Sequence, residues 1–169
     1  AFLQCVGSRD SQRNYCSSAC CMAAMKEAAL IKQSNPQTEV GIFHMDIRAF
    51  GKGYYRYFEQ VRDELGVRFI GGRIPVIKED YQTKDLILTA LSESGVPVKH
   101  QFGLVILSVG QVPSPQFQEL SQILGVELNK WGFCQTAPFS PVKTTRDGIY
   151  VCGSVSAPKD IADTLTEGG

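Results

Sequence analysis

Apolar and polar positions follow several rhythms along this chain. Phe2 to Val6 is a short apolar run followed by Gly7-Ser-Arg-Asp-Ser, the pattern of a strand running into a loop. From Cys16 the sequence turns helical: Ala19, Ala23, Ala24, Met25, Ala28, Ala29, Leu30 and Ile31 recur at three- and four-residue spacing, with Asn14 or Ser17 as cap and Asn35-Pro36 as the stop. On such a helix Cys16 and Cys20 share a face, roughly 5–6 Å apart, and Cys21 points about a quarter turn away. Thr38 to Met45 reads as a second strand and Asp46 to Gly53 as a loop. Tyr54 to Leu65 reads as an amphipathic helix presenting Tyr54, Phe58, Val61 and Leu65 on one side. Gly66 stops it, and Val67 to Ile70 follows as a third strand. Strand–helix–strand–helix–strand is the order of right-handed parallel crossover units.

Beyond Gly71 the rhythm shortens. Arg73–Lys78, Asp85–Leu91 and Val96–His100 read as the short strands of a meander, and the continuous apolar run Phe102–Val109 as a buried central strand. Gln116 to Leu124 makes a short helix. Gly125 to Thr145, with Trp131, Cys134 and two prolines, is a long irregular connection whose length suits a contact surface. Gly148 to Gly153 reads as a strand and turn, and a last helix begins at Lys159 or Asp160.

Composition narrows the class. The 169 residues are 43% hydrophobic and 20% charged, enough for one ordinary domain or one and a piece, with a buried core. Seventeen basic and seventeen acidic side chains cancel, which gives no electrostatic case for nucleic acid. The longest apolar stretch, Gly103–Gly110, is too short to span a bilayer, so direct membrane insertion is not expected. No signal peptide and no initiating Met are present, and Ala1 opens directly in a strand; the chain therefore reads as an excised domain. Six cysteines in that setting argue for a reducing, cytoplasmic compartment and for metal or redox chemistry over a disulfide framework.

Four of those cysteines, Cys5, Cys16, Cys20 and Cys21, form the pattern C-x10-C-x3-C-C. A strand end carrying Cys5 and a helix start carrying the other three would offer four thiolates around one small volume. Such sets hold an iron–sulfur cluster or zinc. Zinc usually takes two C-x2-4-C knuckles, absent here, whereas adjacent cysteines with an i, i+4 pair suit a polynuclear centre. A thiol/disulfide site or plain buried cysteines are the other readings, since free Cys is among the most buried residue types.

A dinucleotide-binding domain of this order should carry G-x-G-x-x-G after its first strand and an acidic residue about 20 positions later. Only Gly7 stands there, and Asp46 lies too far along, so a pyridine nucleotide has no phosphate cradle. The cysteines occupy that loop and helix start instead. His44 and His100 read as structural or surface histidines, Cys134 and Cys152 as plain thiols, and Arg48, Lys52 and Arg56 as a solvated face or a dock for an acidic partner. No arrangement for hydrolytic chemistry is present.

Cys5-Val-Gly-Ser-Arg-Asp10, Tyr15-Cys-Ser-Ser-Ala-Cys-Cys-Met22, Met45–Gly53, Gly148–Gly153 and Pro158-Lys-Asp-Ile161 together resemble the A subunit of heterodisulfide reductase, an iron–sulfur flavoprotein. They equally resemble its relatives in the quinone-interacting membrane-bound oxidoreductase complex of sulfate reducers. The match runs from the first residues to the last and looks like a carboxyl-terminal part. The resemblance implies an α/β, Rossmann-like three-layer nucleotide-binding domain of the two-dinucleotide-binding flavoprotein type, with a parallel sheet plus β-meander. Residues 1–112 would be a degenerate NAD-binding-like domain carrying the cysteines. Residues 113–169 would be the connection and the carboxyl-terminal part of an FAD-binding domain, entered through the Gly-x-x-Pro of Gly110–Pro113.

It further implies a [4Fe-4S] cluster on Cys5, Cys16, Cys20 and Cys21. FAD would lie along Gly153, Ser154, Pro158, Lys159, Asp160 and Ile161, where the family's usual Gly-Asp pair reads Gly153-Ser154. FAD is expected in the full-length protein, and weakly or not at all in these residues alone. The implied role is electron transfer between flavin and the iron–sulfur centres of partner subunits, with no catalysis by this part alone. Ser8, Ser17 and backbone amides would tune the cluster by hydrogen bonds to sulfur. The alternatives are a docking domain with reduced, empty cysteines and, more weakly, a dithiol oxidoreductase, for which C-x-x-C is lacking.

Overall fold

In chain order the elements are β1 (Phe2–Val6), α1 (Cys20–Ser34), β2 (Gly41–His44), α2 (Tyr54–Glu59) continued by a π-helical turn (Gln60–Glu64), β3 (Arg68–Gly71), β4 (Ile77–Glu79), β5 (Leu86–Leu91), β6 (Pro97–Phe102), β7 (Ile106–Val109), α3 (Pro115–Leu124), a 3-10 turn (Gly153–Val155) and α4 (Ile161–Gly168). The structure is a computed structural model describing residues 1–92 and 94–169. They divide into two units, Ala1–Val6 with Cys20–Val109 and Gly7–Ala19 with Gly110–Gly169.

The first unit is built on a parallel sheet in the order β3-β2-β1-β7. Side chains alternate across a strand, so the paired positions Phe2 and Ile42 face one side and Leu3 and Phe43 the other. On the first side, Phe2 and Ile42 join Cys21, Ala24, Met25, Ala28 and Ala29 of α1 and Val61 of the π-helical turn in one core cluster. Buried positions at i, i+3, i+4, i+7 and i+8 are the face a helix must bury against a sheet. On the second side, Leu3 and Phe43 pack with Leu88, Ala90 and Phe102 of the antiparallel meander β4-β5-β6. Phe43 meets the His100 and Phe102 rings edge-on at 5.2 and 6.0 Å. The approach is close at Gly41, where a Cβ would stand 3.0 Å from the Phe102 ring and the ring would have to give by a few tenths of an ångström. Helices on one face of a parallel sheet and a meander on the other make the Rossmann-like three-layer α/β fold of the two-dinucleotide-binding flavoprotein type.

Three local expectations are corrected. α1 begins at Cys20, so Cys16 is not on the helix. The intervening Ser17-Ser18-Ala19 forms a three-residue turn, in which Ala19 N–H donates to Ser17 O at 2.6 Å and Ser18 sits at φ +60°. The apolar run Phe102–Val109 is not one central strand. Phe102 ends β6, the chain turns at Gly103, and β7 lies at the end of the parallel sheet with Leu107 and Val109 exposed. Residues 148–153 form no strand; Tyr150 makes a lone bridge with Lys143.

The second unit gathers everything after Val109 together with the loop 7–19, which the sequence pattern assigns to the first domain. Gly125–Thr145 is irregular, held by the isolated bridges Leu128–Cys134 and Ala137–Ser140 around the buried Phe133. α4 opens with Asp160, whose side chain accepts from Asp163 N at 2.8 Å as an N-cap. Among the described residues no helix is long and apolar enough to cross a membrane.

Candidate metal centre

Each candidate cysteine owes its position to a different local device. Cys5 lies near the carboxyl end of β1, where the register against β7 shifts between Leu3 and Val6. It is buried and takes φ +61°, a left-handed conformation that costs a non-glycine residue roughly 1–2 kcal/mol. Its carbonyl accepts from the Arg73 guanidinium at 3.3 Å. Residues held in such conformations concentrate at functional sites. Of the four non-glycine residues with positive φ among those described, Cys5, Arg9 and Ser18 fall inside the cysteine segment.

Cys20 and Cys21 open α1, where the unpaired N–H groups and the helix dipole favour negative charge. That is the setting in which thiolates are stabilised. The two thiols are hydrogen-bonded to each other, and Cys21 is only 2% exposed. Cys20's hydrogen bond, more than burial, pushes the Cys21 thiol up, against a main-chain hydrogen bond from Arg48 that favours the thiolate. Arg48 is in turn tied to the Asp46 carboxylate at 3.0 and 3.1 Å. His44, at the end of β2, is held below its ordinary value by burial, with Asp46 opposing, and its buried Nδ1 has no hydrogen-bond partner among the described residues. Its ring lies edge-on to Phe69 at 6.1 Å.

Cys16 belongs to the second unit, where its loop is fixed by polar contacts. Asp10 Oδ1 accepts from the amides of Gln12 and Arg13 at 2.9 and 2.7 Å, and Arg9 N–H donates to Tyr15 O at 3.1 Å. Tyr15 donates its hydroxyl to Gln111 O at 2.9 Å and sets its ring edge-on to Trp131 and Phe133, both at 5.4 Å. The buried Ser17 hydroxyl accepts from Gln111 N–H at 2.9 Å. A Cβ on Gly110 would lie 2.9 Å from Gly7 O and 3.2 Å from Ser17 Oγ, so only glycine fits there. The result of this anchoring is that Ser18 N–H donates to Cys16 Sγ at 3.3 Å.

The thiols suit a cluster by donor type. None of the six cysteines is in a disulfide, and amide hydrogen bonds already reach the sulfurs of Cys16 and Cys21. Among the described residues no three His, Cys, Asp or Glu side chains are gathered as a ready metal site. Cys20 and Cys21 are brought together in the first unit, which also holds Cys5. Cys134 is buried, with its thiol pushed up by that burial, and Cys152 is exposed.

The residues expected along a flavin all lie in the second unit. Gly153 is buried at φ +72°, and its N–H donates to Glu167 at 3.0 Å. Lys159 is nearly buried and joins Glu167 and the Ser156 hydroxyl. Ser154 is exposed, Ile161 is 80% exposed, Pro158 is half-buried, and Asp160 caps α4. Glu167 is a member of this group that the sequence does not single out; its signal is the Lys159–Glu167 spacing of eight residues, a reach across the first two turns of α4. Sequence pattern places Arg48 in an exposed cation cluster, yet Lys52 and Arg56 are the exposed members and Arg48 is paired.

No family model matches the chain. It is 44% identical over 173 residues to a CoB–CoM heterodisulfide reductase iron-sulfur A subunit (the second of its kind) of Methanopyrus kandleri, covering 99% of the chain and 26% of that protein. It is 46% identical over 174 residues to the corresponding iron-sulfur A subunit of Methanocaldococcus jannaschii, covering 98% and 26%. Against the A subunit of the H2:CoB-CoM heterodisulfide,ferredoxin reductase of Methanothermobacter thermautotrophicus, identity is 41% over 174 residues, covering 99% and 26%. The chain thus spans about a quarter of the length of these relatives. The crystal structure of LpdA from Mycobacterium tuberculosis shares its fold at a TM-score of 0.55 and 16% identity, over 88% of this chain and 31% of that one. Over its own length, this chain is a homologue of one quarter-length segment of the heterodisulfide reductase A subunit.

Proposed function

We propose that these residues form an electron-transfer module, in which Cys5, Cys16, Cys20 and Cys21 hold one [4Fe-4S] cluster that exchanges electrons with a flavin and with partner subunits of a heterodisulfide-reductase-like complex. The observation that carries the reading is four cysteines outside any disulfide, two of them adjacent at a helix start, on a segment whose backbone is strained at Cys5 and Ser18. Homology to proteins named as iron-sulfur subunits supports it.

A bound cluster supplies one-electron storage at a potential set by its surroundings. The chain's own groups do the rest. Four thiolates ligate, and the amide of Ser18 withdraws charge from the Cys16 sulfur, which favours the reduced state. The left-handed turn at Ser18 is what aims that amide. Ser8 and Ser17 are buried in this loop, and the Ser17 hydroxyl accepts from the Gln111 amide. The flavin's contacts would come from Gly153, Ser154 and Pro158–Ile161, completed by polypeptide outside these residues. In this reading Glu167, accepting from both the Gly153 amide and the Lys159 ammonium, holds Lys159 beside that amide.

Single Cys→Ser variants of all six cysteines test the ligand set after anaerobic reconstitution with iron and sulfide. Loss of iron and of the visible absorption is expected for Cys5, Cys16, Cys20 and Cys21, and full retention for Cys134 and Cys152. Retention in the first four, or no iron in the wild type, favours the docking-domain reading with reduced, empty cysteines.

A further inference from the structure

In the second unit, two donors of different chemistry converge on a single carboxylate. Gly153, in the left-handed region at φ +72°, donates its N–H to Glu167 Oε2 at 3.0 Å, and the Lys159 ammonium donates to both oxygens of the same side chain. The ammonium also donates to the Ser156 hydroxyl at 2.7 Å, and that hydroxyl donates to Gly153 O at 3.0 Å. From the main-chain side, the Gln111 amide donates to Lys159 O and accepts from Lys159 N–H, both at 3.2 Å. Lys159 is thereby fixed at its backbone and at its tip. A main-chain N–H and an ammonium aimed at one pair of oxygens is a donor set suited to a phosphate-type oxyanion. Here the oxyanion comes from α4 of the same chain.

Little apolar burial holds that helix. α4 has no buried residue, and its apolar positions Ile161 and Leu165 are 80% and 71% exposed. Its close approach is at Thr164, whose methyl a Cβ on Gly153 would meet at 3.0 Å. Elements with few buried apolar contacts open at low free energy. The nearly buried Lys159–Glu167 pair adds little net stability, because desolvation offsets much of its attraction. Exchanging the Glu167 carboxylate for an anion from solution is therefore a small step.

We propose that Gly153 N–H and the Lys159 ammonium form a binding site for a phosphate-type oxyanion, that Glu167 plugs this site from within the chain, and that entry of the ligand releases α4. Such a site needs neither the cluster nor the flavin of the proposed function. A flavin that used the same two donors would have to displace Glu167 as well.

The probe is inorganic pyrophosphate, titrated into the iron-free chain and followed by the Gly153 and α4 amide signals in nuclear magnetic resonance. Wild type is compared with Glu167→Ala, Glu167→Gln and the double variant Glu167→Ala with Lys159→Gln. An internal competitor lowers apparent affinity by the fraction of sites it keeps closed, so Glu167→Ala should tighten pyrophosphate by about tenfold, and Glu167→Gln by less. The double variant should lose that gain. In wild type, saturating pyrophosphate should move the α4 amides out of their helical range, and sodium chloride at equal ionic strength should not. Binding no tighter in the Glu167 variants than in wild type, a gain that survives Lys159→Gln, or α4 signals that stay helical at saturation would overturn the proposal. If Glu167→Ala does not fold, Glu167→Gln decides by the same comparison. Because no iron is present, each of these results leaves the four-cysteine reading as it stands.

Discussion

In α1 the buried positions are Cys21, Ala24, Met25, Ala28 and Ala29, an almost wholly apolar stripe pressed on Phe2 and Ile42. In the loop 7–19, the nearly inaccessible residues are Ser8 and Ser17, and the backbone is shaped by Asp10, Tyr15 and three left-handed residues, Gly7, Arg9 and Ser18. The two stretches adjoin in sequence, and each carries candidate ligands. One is held by area removed from water, which is insensitive to small rotations; the other is held by directed hydrogen bonds, which are not. A thiol pair at the start of a packed helix gains a fixed base, and a thiol in a polar turn gains an aimed amide donor.

The largest effect that separates the two belongs to the helix. Met25 is fully buried, so Met25→Ala should cost about 2–5 kcal/mol by urea unfolding, with loss of the whole first unit's cooperativity. A cost under about 1 kcal/mol would mean that the stripe is not the scaffold. Gly110→Ala strikes the second unit instead. Its new Cβ would press on Gly7 O and Ser17 Oγ, and a loss of about 1–3 kcal/mol is expected, with early proteolytic cutting within 7–19 as the readout. Unchanged protection of that loop would contradict the close approach. The smallest effect has the opposite sign. Ser18→Gly relieves the left-handed strain of about 1–2 kcal/mol, less the added chain entropy, so thermal stability should rise by up to about 1 kcal/mol. A drop would show that the serine is not strained where it stands.

The apolar stripes were legible in the sequence because burial needs only residue type and period. Phe2, Ile42 and Met25 sit where alternation and helical spacing put them. The cysteine pattern was legible for a related reason: thiol chemistry resides in the residue itself. Cys16's environment was not. A turn centred on a left-handed Ser18 has no compositional mark, since serine is common both in helix starts and in loops. The run 102–109 misled because every residue but Gly103 and Ser108 is apolar, so hydropathy could not show where β6 ends and β7 begins. Arg48 reads from sequence as part of a solvated cation face because residue type and spacing alone do not show its pairing with Asp46. Only the structure shows Ile47 and Ala49, on either side of it, packed against the core.

Iron and acid-labile sulfide per chain, measured after anaerobic reconstitution together with spectra of the oxidised and dithionite-reduced forms, test the central claim most directly. The account predicts about four irons and four sulfides per chain, with broad visible absorption that bleaches on reduction and is absent from Cys20→Ser. No iron uptake by a folded wild type with six titratable thiols would contradict it.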